Sequence, residues 1–212
     1  MFIYEKIKQI KSSFNFQYND NLPNLIQKIK NINLYSIFET INNLNLLELE
    51  NIINCIFTSK RIFVFGVGSS SVICSELNDS LIKLGFNSYT SQDFHGQLLF
   101  LNSFNDNDLL ILFSKSGRTR EILEILKNGI KYKIPITLVT SNLNCGYEKY
   151  LYNKIIFRTL EQLSRYSAVS SKITQLLFVD IIFNQIMERK KQFKKLILHG
   201  THIIKNWNKI NS

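Results

Sequence analysis

Gly66-Val67-Gly68-Ser69-Ser70-Ser71 and Ser114-Lys115-Ser116-Gly117-Arg118-Thr119 are the two segments of this chain whose residue types and spacing suit one chemistry, the holding of an anion. Hydroxyls a few residues apart around a glycine can converge on one tetrahedral group, and glycine lets backbone N–H groups come close to it. Each segment follows an apolar run, Arg61–Phe65 or Asp108–Phe113, and precedes a stretch with helical periodicity. The order strand, small loop, helix places unpaired N–H groups and the positive end of a helix dipole at the strand's exit. Two such loops at one sheet edge are expected to form a sugar-phosphate site.

Other residue types add weaker signals. Gly66 and Gly68 suit a tight strand-to-helix turn. Ser69 is a ligand candidate, although it and Ser71 equally suit a turn or a helix cap. Thr119 can cap the helix that follows it and still hold a phosphate. Arg118 either stands beside the anion or points to solvent. His95 lies next to Asp93 after a short apolar segment. Histidine titrates near neutrality, so this pair could move protons, or His95 could simply contact ligand. His199 and His202 have no third ligand at metal-binding spacing, so no metal is expected. Cys55, Cys74 and Cys145 lack any CxxC spacing and read as reduced structural thiols. No cofactor is implied.

The elements that must position these loops emerge from periodicity. From Pro23 to about Thr58 the pattern is helical, with one stripe at Leu25, Ile29 and Ile32 and a second at Ile37, Ile41 and Leu44. A third helix, Leu46–Ile53, runs into the first strand, with Asn-rich joints between the helices. After residue 60 strands and helices alternate. Strands are expected at Arg61–Phe65, Asn87–Thr90, Leu109–Phe113, Ile136–Thr140 and Lys154–Arg158. Helices are expected near 71–84, 97–101, 119–131 and 167–187, with a helical turn near 146–150. Strands joined by helical crossovers imply a parallel sheet covered on both faces, with every strand-exit loop at one carboxyl edge. The fold class is therefore α/β, a three-layer α-β-α sandwich around a five-stranded parallel sheet, preceded by N-terminal helices. The expected division is a helical segment over 1–58, the sugar-phosphate domain over 59–188 and a basic tail over 189–212.

The 212 residues are 45% hydrophobic and 20% charged, enough for one moderate core. The formal charge of +10 suits anionic partners, but richness in Lys, Asn and Ile reads as codon bias. The run Arg189-Lys190-Lys191-Gln192-Phe193-Lys194-Lys195 is expected to be a solvated face that closes the folded part. No signal peptide or membrane span is evident, so a cytoplasmic protein is expected.

From Arg61 to about Glu188 the chain resembles the sugar isomerase (SIS) domain, especially the version found in RpiR/MurR-type transcriptional regulators. The resemblance rests on Phe65-Gly66-Val67-Gly68 with Ser70, on Asp93-Phe94-His95, on Phe113 through Glu121, on Val139-Thr140-Ser141 and on Ser164 through Leu176 with Asp180. It implies a flavodoxin-like sheet, a phosphorylated sugar as ligand, and pairing into a homodimer or homotetramer. It further implies that Gly68, Ser69 and Ser70 form one ligand loop, and that Ser114, Ser116, Gly117 and Thr119 hold the phosphate. Arg118 replaces the acidic residue usual there. Glu161 stands after the last strand, where isomerases of this superfamily often keep a carboxylate base. Arg165, Ser170 and Ser171 match the regulator pattern, with Lys172 in place of an arginine. Regulators of this type begin with a helix-turn-helix module for which this chain has no room, so DNA contact is not expected from it. The resemblance thus implies a phosphosugar sensor that is more naturally a binder than an enzyme. The alternative is an aldose–ketose isomerase with Glu161 or His95 as base.

Overall fold

Alternate residues of the central strands enter different hydrophobic clusters, as a sheet buried on both faces requires. In the computed structural model, which describes residues 21–160 and 168–210, Ile62, Val64, Leu109, Ile111 and Phe113 face one cluster. Phe63, Phe65, Leu110 and Leu112 face the other. The sheet has five parallel strands, β1 (Ile62–Phe65), β2 (Ser88–Tyr89), β3 (Leu109–Phe113), β4 (Ile136–Thr140) and β5 (Asn153–Ile156). Their spatial order is β2-β1-β3-β4-β5. This is the expected three-layer α/β sandwich, with β1 and β3 adjacent, so the two serine-glycine loops leave neighbouring strands.

Helices α1 (Leu22–Asn42) and α2 (Leu46–Thr58) precede the sheet. The crossovers carry α3 (Ser69–Lys83), α4 (Phe94–Leu101) and α5 (Arg120–Lys131), and a short 3-10 turn spans Glu148–Tyr150. After β5 come α6 (Ser170–Arg189) and α7 (Lys191–Ile210). Side chains of α2, α3, α6 and α7 build the first cluster, and those of α4 and α5 the second. Fully buried rings such as Phe113, Phe157 and Phe178 are each worth roughly 1.5–3 kcal/mol by transfer.

Three local differences from the periodicity stand out. The two stripes expected as separate helices lie on one continuous α1, which runs through the Asn31–Asn33 joint because Ile32 and Tyr35 bury on one face. The stripe at Ile29 and Ile41 is exposed instead. The basic segment after residue 189 continues as the twenty-residue α7, and Phe193 buries between Phe57 and Phe86. Among the described residues no helix is long and apolar enough to cross a membrane.

Candidate functional site

The loop after β3 takes its shape from glycine and from the loop that follows β4. Gly117 has φ +66°, a backbone region that side chains strain to adopt. A Cβ at this position would sit 2.8 Å from Cys145 Sγ and 2.9 Å from the Tyr147 hydroxyl. Position 117 therefore requires glycine on two grounds.

Three successive carbonyls of the loop are held from the β4 side. Lys115 O accepts from Thr140 Oγ1 (3.0 Å), Ser141 Oγ (2.9 Å) and Ser141 N–H (3.1 Å). Ser116 O accepts from Asn142 Nδ2 at 2.8 Å, and Gly117 O accepts from the Tyr147 hydroxyl. A trans peptide points its N–H opposite its carbonyl. Tying these carbonyls down therefore turns the N–H groups of Ser116, Gly117 and Arg118 toward the loop's other side. There Ser114 Oγ accepts from Gly117 N–H and Ser116 Oγ from Arg118 N–H, each at 3.1 Å. Ser114 Oγ and Thr119 Oγ1 lie 3.3 Å apart. The structure thus brings Ser114, Ser116, Gly117 and Thr119 together, as expected from their spacing.

The helix starts differ in their capping. The side chains of Asn21, Asn45 and Asp93 accept N–H bonds at the starts of α1, α2 and α4. The N-cap residues of α3, α5 and α6, namely Gly68, Thr119 and Val169, make no side-chain cap bond. Their first-turn N–H groups carry the partial positive charge that attracts anions.

Beside the Ser116 loop lies a cleft of about 330 Å³, formed by three strand exits. Lys115 and Ser116 come from the β3 exit, Ser141 and Asn142 from β4, and Phe157, Arg158 and Thr159 from β5. Arg118 does not enter it, since its guanidinium donates to Asn144 O at 2.8 Å.

Other candidates lie elsewhere. Ser70 is buried and donates to Gln175 Oε1 at 3.0 Å, which pins α3 against α6. Ser170 is fully buried, with its hydroxyl 2.8 Å from Thr159 Oγ1. The hydroxyls of Ser70 and Ser170 are thus engaged by other side chains, because both sit on helix faces that pack inward. Gly68 (φ +60°) and Ser69 are exposed at the start of α3. His95 is exposed in the first turn of α4, its N–H held by Asp93, and is not among the cleft's lining residues. Glu161 and Arg165 lie outside the described residues.

Spacing alone did not single out Arg158, Asn142 or Tyr147. Arg158 was expected to end a strand, yet β5 stops at Ile156, which leaves Arg158 in the edge loop. Thr140-Ser141 was a visible part of the signature, but its hold on Lys115 O was not.

The clamp beneath the loop is electrostatically settled. Burial raises the pKa of the Cys145 thiol, opposed by a hydrogen bond with Tyr147, and burial also raises that of the Tyr147 phenol. Tyr147 therefore remains a donor at neutral pH. The Glu148 carboxyl is brought down to about 2, chiefly by the backbone N–H groups of Glu148 itself and Cys145, with Gly146 and Lys154 adding to it. Among the described residues no cluster of metal ligands occurs.

The strand order is that of the flavodoxin-like parallel sheets. Residues 55–185 match the SIS domain, and the chain belongs to that family. It is 22% identical over 142 residues to an uncharacterised HTH-type transcriptional regulator of Clostridium perfringens, covering 67% of this chain and 50% of that one. It is 32% identical over 144 residues to a 3-hexulose-6-phosphate isomerase of Methanocaldococcus jannaschii, covering 67% of this chain and 76% of that one. The chain spans about half the length of several curated regulators that it matches. Among solved structures, Vibrio vulnificus NanR complexed with ManNAc-6P has the same fold, with a TM-score of 0.78 at 21% identity over 85% of this chain and 69% of that one.

Proposed function

We propose that this chain binds a phosphorylated sugar and acts as the sensing domain of a RpiR/MurR-type transcriptional regulator in the cytoplasm. One observation carries the reading. Ser114 and Thr119 meet at the uncapped start of α5, and Ser116, from the same loop, lines the neighbouring cleft. Hydroxyls and first-turn N–H groups together suit a dianionic phosphate. The cleft suits the sugar. Similarity to HTH-type regulators, and to a NanR structure that holds a phosphosugar, supports the sensor over the enzyme.

Sensing needs states that the ligand binds unequally. Pairing into a homodimer or homotetramer would provide them, and the exposed apolar residues Leu22, Ile26, Leu34 and Ile41 of α1 offer surface for it. Light scattering that returned a monomer mass would remove this part of the proposal.

The isomerase reading is favoured by one observation, the 32% identity to a hexulose-phosphate isomerase. Its bases would be Glu161 or His95. A thermal-shift screen against pentose, hexose and amino-sugar phosphates, followed by NMR of each hit, separates the two readings. A stabilising ligand that stays unchanged supports the sensor. Conversion to the isomer establishes the enzyme, and stabilisation by none of the panel overturns phosphosugar binding.

A further inference from the structure

Arg158 lies at this edge, in the loop that leaves β5. Arg61 is held by Asp108, Arg118 by Asn144 O, and Arg189 by Glu50 and Asn54. Among the described residues the Arg158 guanidinium makes no hydrogen bond or ion pair, yet it lines the cleft beside the Ser116 loop. No carboxylate lines that cleft among the described residues. The guanidinium of a half-buried arginine that lines a cleft without a carboxylate favours a planar anion able to accept two of its N–H groups.

The backbone beneath Arg158 is held in place. Its N–H donates to Thr40 Oγ1 at 2.9 Å, and Thr40 Oγ1 in turn approaches Arg158 O at 3.4 Å. Thr40 is 1% exposed on α1, so the side chain of Arg158 projects from a base anchored to a packed helix. Anchoring of this kind lowers the ordering cost of recruiting a long side chain to a ligand.

The cleft also has a direction. Ser116 stands at one wall, from the β3 exit, and Arg158 at another, from the β5 exit, with Ser141 and Asn142 of the intervening β4 exit between them. A sugar phosphate seated with its phosphate on the β3 loop would extend its far end toward Arg158.

We propose that Arg158 is a specificity residue, and that the site takes sugar phosphates bearing a second anionic group, such as a carboxylate, at the end remote from the phosphate. The proposal rests on the phosphosugar reading above and adds the ligand's chemical class. Neutral sugar phosphates would occupy the same site more weakly, because they leave the guanidinium with water alone.

The test pairs two ligands of one carbon skeleton, glucose 6-phosphate and 6-phosphogluconate, with inorganic phosphate as reference, by calorimetry on the wild-type chain and on Arg158→Gln and Arg158→Lys. The wild type should prefer 6-phosphogluconate by about tenfold or more, the scale of one charge-assisted contact. Arg158→Gln should abolish the preference by bringing 6-phosphogluconate down to the affinity of glucose 6-phosphate. Arg158→Lys should retain part of the preference, since charge survives without the planar fork. Equal affinity of the wild type for the two hexose phosphates, or a preference that persists in Arg158→Gln, overturns the inference and leaves phosphosugar binding intact. Failure of both hexose phosphates to bind the wild type counts against phosphosugar binding itself.

Discussion

Tyr147 donates its hydroxyl hydrogen to the carbonyl oxygen of Gly117, across thirty residues of sequence, and so ties the loop after β4 to the loop after β3. Two strand exits become one rigid unit, in which one loop carries the candidate ligand groups and the other sets their backbone orientation.

Tyr147→Phe should weaken sugar-phosphate binding several-fold with only a small fall in melting temperature. The lost hydrogen bond is worth about 0.5–1.5 kcal/mol, and the half-buried ring keeps its packing. Calorimetry with the hit from the screen checks this. Unchanged affinity would mean that the remaining bonds to Lys115 O and Ser116 O suffice to orient the loop.

Gly117→Ala should abolish measurable binding. The added methyl meets Cys145 Sγ at 2.8 Å and the Tyr147 hydroxyl at 2.9 Å, and the φ of +66° adds about 1–2 kcal/mol of strain. Circular dichroism should still report a folded sheet, because the clash lies in an edge loop and the central strands keep their own packing.

Replacing Ser116 and Thr119 together by Ala should lower phosphosugar affinity by tenfold or more. Hydrogen bonds to a charged group are worth about 1.5–3 kcal/mol each. Ser116 also accepts the Arg118 N–H, so part of the effect would come through the loop's shape. A thermal-shift titration that matched wild type would remove these residues from the site.

Thr40→Val should destabilise the fold by about 1–3 kcal/mol. It keeps the volume but leaves the half-buried Arg158 N–H without its acceptor. Denaturant unfolding measures this. The loss should appear even without ligand, because the contact joins α1 to the β5 exit in the free protein.

Glu148 provides a pH test. Its folded pKa, about 2, lies below the ordinary value of 4.5, so it stabilises the folded state above pH 4.5. That contribution is lost as pH falls from 4.5 toward 2, once the carboxylate that accepts the Cys145 and Gly146 N–H groups becomes protonated. Glu148→Gln should therefore melt below wild type at neutral pH, with the two curves converging across that window. A gap that stayed constant down to pH 2 would show that the charge is immaterial.

Much of this architecture was open to reading in the linear chain. The β3 loop was legible because its four candidate residues fall within six positions, so local geometry alone can bring them together. The sheet was legible because its central strands β1 and β3 are continuous apolar runs, and the helices between the strands oblige parallel pairing. The twenty residues of α7 were less so, since a lysine-rich run reads as solvated until Phe193 is seen between Phe57 and Phe86.

Sequence alone thus determined the layer order, the carboxyl edge and the hydroxyl loop, each a consequence of periodicity or near-neighbour spacing. Tertiary structure alone decided which serine hydroxyls are spent on packing between elements. Ser70 and Ser170 carry the right chemistry, but packing of α3 and α6 turns them toward Gln175 and Thr159. It also decided that Arg158 faces the cleft and that Tyr147 holds Gly117. These pairings join residues far apart in sequence, and a hydroxyl or a guanidinium is committed only when the packed chain places a partner within about 3 Å of it, or none.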